Sequence, residues 1–294
     1  TRDMKKLNFY LFVIALLFFA GCDTEDETIP AYIHVKSFNL QTNPGQGTST
    51  APQIKDVWVT LEQEGFLGNY ELPATLPLVA EGPTKMFLDA GIKVNGITNT
   101  PDIYPFYARY ELTPDLVLGE IDTLQPVAVY DSRVQFPYLE NFDGGNTLDV
   151  TFDNAPNILG ITNEPAEVFE GNSAKFTLDT TTTRFEIATS DSRRMELPKE
   201  GRSVFLEMHY KNEGLLEVGL VGYRSSDNFP NRTYFFALNP KEEWNKIYID
   251  LTDQLINAAP DIVEFQILFG AQLPAGVTSA SYFIDNIKVL HFQD

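Results

Sequence analysis

The 294-residue sequence holds one cysteine, three histidines and two tryptophans. A lone cysteine excludes a disulfide framework and any cysteine-based metal centre. His34, His209 and His291 each stand in a strand-like alternation, and no G-x-S-x-G elbow, H-E-x-x-H pair or glycine-rich phosphate loop occurs. We therefore read the chain as not an enzyme, although carboxylates are numerous and a hydrolytic pair is defined only by its separation in space. Basic side chains are also scarce, 21 against 41 acidic ones, for a net charge of −20. No basic stripe offsets that charge, which argues against a nucleic-acid partner. Long apolar periodicity free of proline and glycine is missing, so helices should be few. Thr252 to Asn257 is the one stretch that reads as a short helix.

The apolar residues that do run together lie near the start. Met4 reads as the true first residue, with Lys5 and Lys6 as a cationic n-region and Phe9 to Ala20 as an uncharged run. That run falls short of the about 20 residues needed to cross a bilayer, so it reads as the h-region of a signal peptide. The run ends Phe18-Phe19-Ala20-Gly21-Cys22, which resembles the lipobox of bacterial lipoproteins. Ala20 and Gly21 match the small residues of that motif, while Phe19 stands where leucine is commonest. The resemblance implies that residues 1–21 are removed and that Cys22 carries the lipid, the plain alternative being a buried thiol. Without residues 1–21 the chain keeps 18 basic and 40 acidic side chains, a net charge of −22.

Asp23-Thr24-Glu25-Asp26-Glu27 places four carboxylates in five residues, and residues 22–30 read as a solvated tether. The acidic stretch also resembles the export signal that some glycan-foraging Gram-negative bacteria place after the lipidated cysteine; a plain spacer is the alternative. The resemblance implies an outer-membrane, lipid-anchored chain exposed at the cell surface, with the membrane as its first partner.

Beyond the tether the composition is sheet-forming, with 22 Phe and 13 Tyr, and short alternating runs are bounded by Gly, Pro, Asn and Asp. We expect an all-β chain: a small β-sandwich over residues 31–131 and a β jelly roll over 132–294. In the first module Val57, Val59 and Leu61 alternate with Trp58 and Thr60, and the succession Val-Trp-Val-Thr, Gly-Phe-Leu-Gly and Glu81-Gly82 resembles PEGA and transthyretin-like modules. In the second, Trp244-Asn245-Lys246-Ile247-Tyr248-Ile249-Asp250-Leu251 and Phe283-Ile284-Asp285-Asn286-Ile287-Lys288-Val289 resemble the galactose-binding-like jelly roll of many carbohydrate-binding modules. That resemblance implies a glycan ligand, a core role for Trp244, and a structural Ca2+ held by Asp285 with Glu140 or Asp143.

Candidate contacts follow from position. The polar loop between two aromatic strand ends supplies Tyr223, Arg224, Asp227, Asn228, Arg232 and Tyr234 as ligand-binding residues. Glu140, Asp143 and Asp285 are the candidate ligands of the cation, with capping of a turn as the plain role of Asp285. Pro101 to Tyr110 packs four aromatics and two prolines into ten residues. It reads either as a seam between the modules or as an exposed platform for a sugar or for a second envelope protein. The rival to glycan binding is thus a structural or assembly role in the cell envelope.

Overall fold

The computed structural model describes residues 29–99 and 101–293. Cys22 and the acidic stretch 23–27, with the lipidation and export readings placed on them, lie outside the described residues. Strands dominate the rest, and the fold is all-β.

The first twelve strands are β1 (Ala31–Val35), β2 (Asn39–Gln41), β3 (Asp56–Leu61), β4 (Gly65–Glu71), β5 (Ala74–Leu78), β6 (Gly82–Pro83), β7 (Met86–Lys93), β8 (Pro101–Ile103), β9 (Tyr110–Leu112), β10 (Asp115–Leu116), β11 (Ile121–Leu124) and β12 (Val127–Val129). One sheet has the order β4-β3-β7-β8, with β9 also on β7; facing it are β11-β1-β5 and the pairs β12-β2 and β10-β6. Alternation sets the faces: Val57, Val59 and Leu61 are buried while Trp58 and Thr60 are half-exposed. The stretch Ala31 to Leu40 is not one strand but two, broken at Lys36 to Phe38, and both halves run parallel to their partners β11 and β12.

The remaining strands are β13 (Val134–Glu140), β14 (Leu148–Thr151), β15 (Gly160–Thr162), β16 (Ser173–Asp179), β17 (Arg184–Thr189), β18 (Val204–Asn212), β19 (Leu216–Arg224), β20 (Pro230–Leu238), β21 (Lys241–Asp250), β22 (Ile262–Gln272) and β23 (Ser279–Phe292). They form a six-stranded sheet, β15-β16-β23-β18-β21 with β13 also on β23, and a five-stranded sheet, β14-β17-β22-β19-β20. All these pairings are antiparallel, and the chain crosses repeatedly from one sheet to the other, which is the jelly-roll arrangement. The expected helical stretch is a single turn, α1 (Thr252–Ile256), whose Leu255 is buried.

Between these two sheets, Phe176 and Leu178 of β16 meet Ile187 of β17, Val218 of β19 and Phe269 of β22. Each large apolar side chain so buried stabilises the fold by about 1.5–3 kcal/mol. Trp244 is not among them. It lies half-buried on the outer face of the six-stranded sheet, tilted against Phe169 at 5.7 Å, because the sandwich interior is taken by its neighbours Ile247 and Ile249.

The first module packs on the outer face of that same sheet. Phe205, Tyr248 and Leu290 point out of the jelly roll into a core shared with Ile92, Tyr104 and Phe106. Tyr104 meets Phe205 and Tyr248 edge-on, with ring centroids 5.5 and 4.9 Å away. The segment Pro101 to Tyr110 is therefore the seam between modules. Tyr104 and Phe106 are wholly buried and Tyr107 nearly so, which removes the segment as an exposed platform for a sugar or an envelope partner.

Charges are buried at this seam too. Glu207 of β18 accepts hydrogen bonds from Tyr104 Oη at 2.6 Å and Tyr130 Oη at 3.0 Å, and pairs with Lys246 Nζ at 2.6 Å. Burial alone would raise the Glu207 carboxyl, but Lys246 and Lys288 outweigh it and hold the group below its ordinary value. Lys288 donates to Tyr130 Oη at 3.4 Å, and burial pushes its ammonium down to about 8.

Candidate functional site

With one sheet of the jelly roll covered by the first module, the outer face of the five-stranded sheet is its open counterpart. Alternation decides what that face presents. On β19, Leu216, Val218 and Leu220 enter the core, which turns Glu217, Gly219, Val221 and Tyr223 outward. Register then aligns Gly219 with Leu268 of β22 and Tyr234 of β20, and aligns Gly270 of β22 with Glu186 of β17 and Glu217 of β19.

Glycine inside a strand commonly marks the close approach of another group. Here Tyr234 approaches Gly270, and at Gly219 it does so together with the backbone carbonyl of Thr233, whose oxygen would lie 2.5 Å from an added Cβ. A Cβ on Gly270 would lie 2.9 Å from Tyr234 Cζ and closer still to its hydroxyl, and a Cβ on Gly219 would lie 3.1 Å from Tyr234 Cδ1. The ring therefore leans across β19 and β22 where both strands lack side chains, and its hydroxyl donates to Glu186 Oε2 at 2.8 Å. Burial raises the phenol well above its ordinary value and the Glu186 carboxylate raises it further, so the hydroxyl remains a donor.

Charged groups frame this ring. The Arg232 guanidinium donates to Asp153 Oδ2 at 3.0 Å and to Glu186, and lies 4.8 Å from the Phe152 ring centroid. A cavity of about 280 Å3 opens here, with Phe152, Glu186, Glu217, Arg232, Tyr234 and Gln272 in its wall. At the other end of the face, Tyr223 donates to Gln266 and its ring is capped by the Arg194 guanidinium 3.5 Å from the centroid. Arg194 is held in turn by Asp191 at 2.7 Å and by Asn228. The Tyr223 ring is thus closed to a ligand, while Tyr234 stands half-exposed beside the cavity.

Of the six residues expected to bind ligand, Tyr223, Arg232 and Tyr234 share this face. Arg224, Asp227 and Asn228 do not join them. They occupy the end of β19 and the turn from it to β20, where Arg224 Nε lies 3.4 Å from Asp261 Oδ2 and Asp227 Oδ1 accepts from the Phe229 amide at 3.0 Å. Asn228, at φ 55°, accepts from Arg194. Phe152, Glu186, Arg194 and Gln266 were not anticipated, since they come from strands and connecting segments distant in sequence. The strand glycines Gly219 and Gly270 were the available sign.

Glu140, Asp143 and Asp285 are the expected cation ligands. Among the described residues no group of three or more His, Cys, Asp or Glu side chains is arranged to hold a metal ion. Each carboxylate is engaged by the protein instead. Glu140 accepts from the Phe142 amide at 2.8 Å and the Thr147 amide at 2.7 Å; Asp143 accepts from the Asn172 amide at 2.9 Å. Asp285 accepts from Ser173 Oγ at 2.8 Å and the Asn286 amide at 2.7 Å, and burial pushes its carboxyl up to about 7.

No protein-family profile matches the sequence, and no curated protein matches it. Among solved structures, a family 11 carbohydrate-binding module of a cellulosomal cellulase of Clostridium thermocellum is similar at 14% identity over 54% of this chain and 95% of that one, with a TM-score of 0.38. A family 61 module, solved in complex with β-1,4-galactotriose, is similar at 17% identity over 52% of this chain and 94% of that one, with a TM-score of 0.33. A third structure, described as concerning carbohydrate-binding modules of the β-sandwich superfamily, is similar at 14% identity over 80% of this chain and 84% of that one, with a TM-score of 0.36.

Proposed function

We propose that the chain is a lipid-anchored, non-catalytic glycan-binding protein of the outer-membrane surface, and that the sugar is taken on the outer face of the five-stranded sheet. The observation that carries the reading is the Tyr234 ring leaning over Gly219 and Gly270, beside a cavity with Glu186, Glu217, Arg232 and Gln272 in its wall. A pyranose has an apolar face, set by its axial C–H bonds, and a rim of hydroxyls. Its face fits the tyrosine ring, and its hydroxyls find acceptors in the carboxylates and donors in the guanidinium and amide. The ion pairs of Arg232 hold those groups in place before ligand arrives, which lowers the ordering cost of binding.

The purified mature chain, applied to a glycan array with and without chelator, should bind at least one glycan. Tyr234→Ala should weaken that binding about tenfold or more, the factor that about 1.4 kcal/mol of lost contact gives. Absence of any glycan signal in both conditions would overturn the reading.

A further inference from the structure

We propose that the outer face of the β4-β3-β7 sheet in the first module is a second glycan-binding site, separate from the Tyr234 site, with a neutral sugar seated on the rings of Trp58 and Phe66. Alternation builds this face. Val57, Val59, Leu88 and Ala90 fill the core of the module, which turns Trp58 of β3 and Phe87 and Asp89 of β7 to the other side. Register sets Asp89 directly opposite Trp58, and sets Thr60 opposite both Phe66 of β4 and Phe87. Two aromatic side chains of neighbouring strands thereby meet: the Trp58 and Phe66 ring centroids are 5.4 Å apart, with their planes inclined by 28°.

Two devices that shape the Tyr234 face recur here. A glycine lies against the ring: a Cβ on Gly91 of β7 would lie 3.1 Å from Trp58 Cδ1 and 2.8 Å from Asp56 Cβ, so a bare strand position makes room for the indole. A second ring is closed off by cations, as Tyr223 is by Arg194. Phe87 has Lys85 Nζ 5.3 Å and Arg109 Cζ 5.4 Å from its centroid. The Trp58–Phe66 pair is left open, and Phe66 is 57% exposed.

The charges around the pair select its occupant. Arg109 grips Asp89 through two nitrogens, at 2.9 and 2.8 Å; Lys93 pairs with Asp56 at 2.9 Å, and Lys85 with Glu62 at 3.1 Å and Glu111 at 2.9 Å. Each of these cations is met by a carboxylate. The face therefore offers fixed donors and acceptors without uncompensated positive charge, and a polymer bearing phosphates or carboxylates gains nothing there. Nor do rings broken up by ion pairs form the contiguous apolar area that a protein partner buries. The ligand that fits is uncharged, with an apolar face for the rings and hydroxyls for the ion pairs, as in a neutral pyranose. Because Phe66 is more than half in water, less surface is enclosed here than in the Tyr234 cavity, and this is the weaker of the two sites.

Tryptophan fluorescence reads this site by itself. Trp244→Phe leaves Trp58 as the single tryptophan and breaks no hydrogen bond, since Trp244 Nε1 has no partner. The purified variant is titrated with cellohexaose, xylohexaose, mannohexaose or galactotriose up to about 10 mM, enough to reach a Kd in the millimolar range. Its emission should shift saturably with at least one of them, and the anionic trigalacturonate should give no shift. Adding Phe66→Ser, a change at an exposed position, should raise the apparent Kd at least about fivefold, whereas adding Tyr234→Ala should leave it unchanged. No shift with any of the neutral sugars, an equal or stronger shift with trigalacturonate, or a Kd unaltered by Phe66→Ser overturns the site. Loss of the shift on adding Tyr234→Ala also overturns it, because the response would then arise at the other face. The Tyr234 site is tested by the loss of binding on the array, so each site can fail without the other.

Discussion

The two outer faces of the jelly roll carry the same kind of sequence and meet opposite fates. On the six-stranded sheet Glu207, Lys246 and Lys288 alternate with core residues, as solvent-facing positions should, yet all three are buried against the first module. On the five-stranded sheet Glu186, Glu217 and Arg232 alternate in the same way and stay partly in water. On the covered face the Glu207 carboxylate is shared between two ammonium groups, Lys246 and Lys288, and joined to them by tyrosine hydroxyls. The open face has more carboxylates than it needs to hold Arg232. Side chains locked in an internal network hold two modules in one arrangement, whereas side chains with spare acceptors at a cavity can exchange water for a ligand.

The largest expected effect breaks the covered face. Glu207→Gln would leave Lys246 and Lys288 buried together without the carboxylate they share. Loss of one partner from a buried pair costs about 3–5 kcal/mol, and here two cations lose the same partner. Calorimetry at pH 7 should show a melting temperature lower by about 10 °C, on the scaling of about 2–4 °C per kcal/mol for chains near this size. An unchanged melting temperature would mean that Glu207 does not organise the seam.

On the open face the corresponding test is small in volume and large for binding. Gly270→Ala places a methyl group against Tyr234 Cζ and its hydroxyl. Overpacking of this kind costs about 1–3 kcal/mol, and the displaced ring should take with it the glycan binding proposed above. The paired control is Gly144→Ala, where an added Cβ meets nothing within 4 Å. If Gly270→Ala binds glycan as the parent does, the ring over the glycines is not the platform.

These contrasts also mark what the sequence made legible. The strand alternation of β3, β18 and β22, the single turn at Thr252 and the grouping of aromatics at Pro101 to Tyr110 were all visible as local patterns. Tyr223, Arg232 and Tyr234 could be picked out because they flank one turn. Arg194, Glu186 and Phe152 could not, because only the pairing of β17 with β14 and β22, and the bridge from Met195 to Phe265, bring them to the same face. Nor did local pattern distinguish Glu207 from Glu217: both sit between apolar neighbours in a strand, and the packing of a separate module decides which is buried. Trp244 misled for a related reason, since an aromatic in a core-like strand can face either side of it.

A gentler change sharpens the covered face rather than breaking it. Lys288 is the ammonium in excess, and Lys288→Met would leave the Glu207–Lys246 pair balanced. Its folded pKa of about 8 lies below the ordinary 10.5, so between those values the unfolded chain binds more protons than the folded one. From this group, stability rises with pH through that window, and below about pH 8 the buried charge is a cost. The variant should therefore be more stable by about 1 kcal/mol at pH 7, within the range seen when buried ions are replaced by apolar groups, and the gain should fade by pH 10. Urea unfolding at pH 7 and pH 10 reads both arms. A gain that is constant with pH would trace to packing and not to charge.

The smallest expected effect concerns Glu140, Asp143 and Asp285, where the two modules approach each other through Ser49 and Glu170. Glu140 closes the Phe142 to Thr147 turn, Asp143 holds the Asn172 amide, and Asp285 ties Ser173 to the bend at Asn286. Glu140 and Asp285 thereby satisfy donors that would otherwise be wholly or partly buried without partners, a role worth about 1–3 kcal/mol per group that needs no cation. Chelator added to the purified protein should move its melting temperature by less than about 1 °C, whereas a ligand present at 100 times its dissociation constant would contribute about 2.7 kcal/mol. A fall of several degrees, restored by calcium, would show that these oxygens leave their internal donors for a metal.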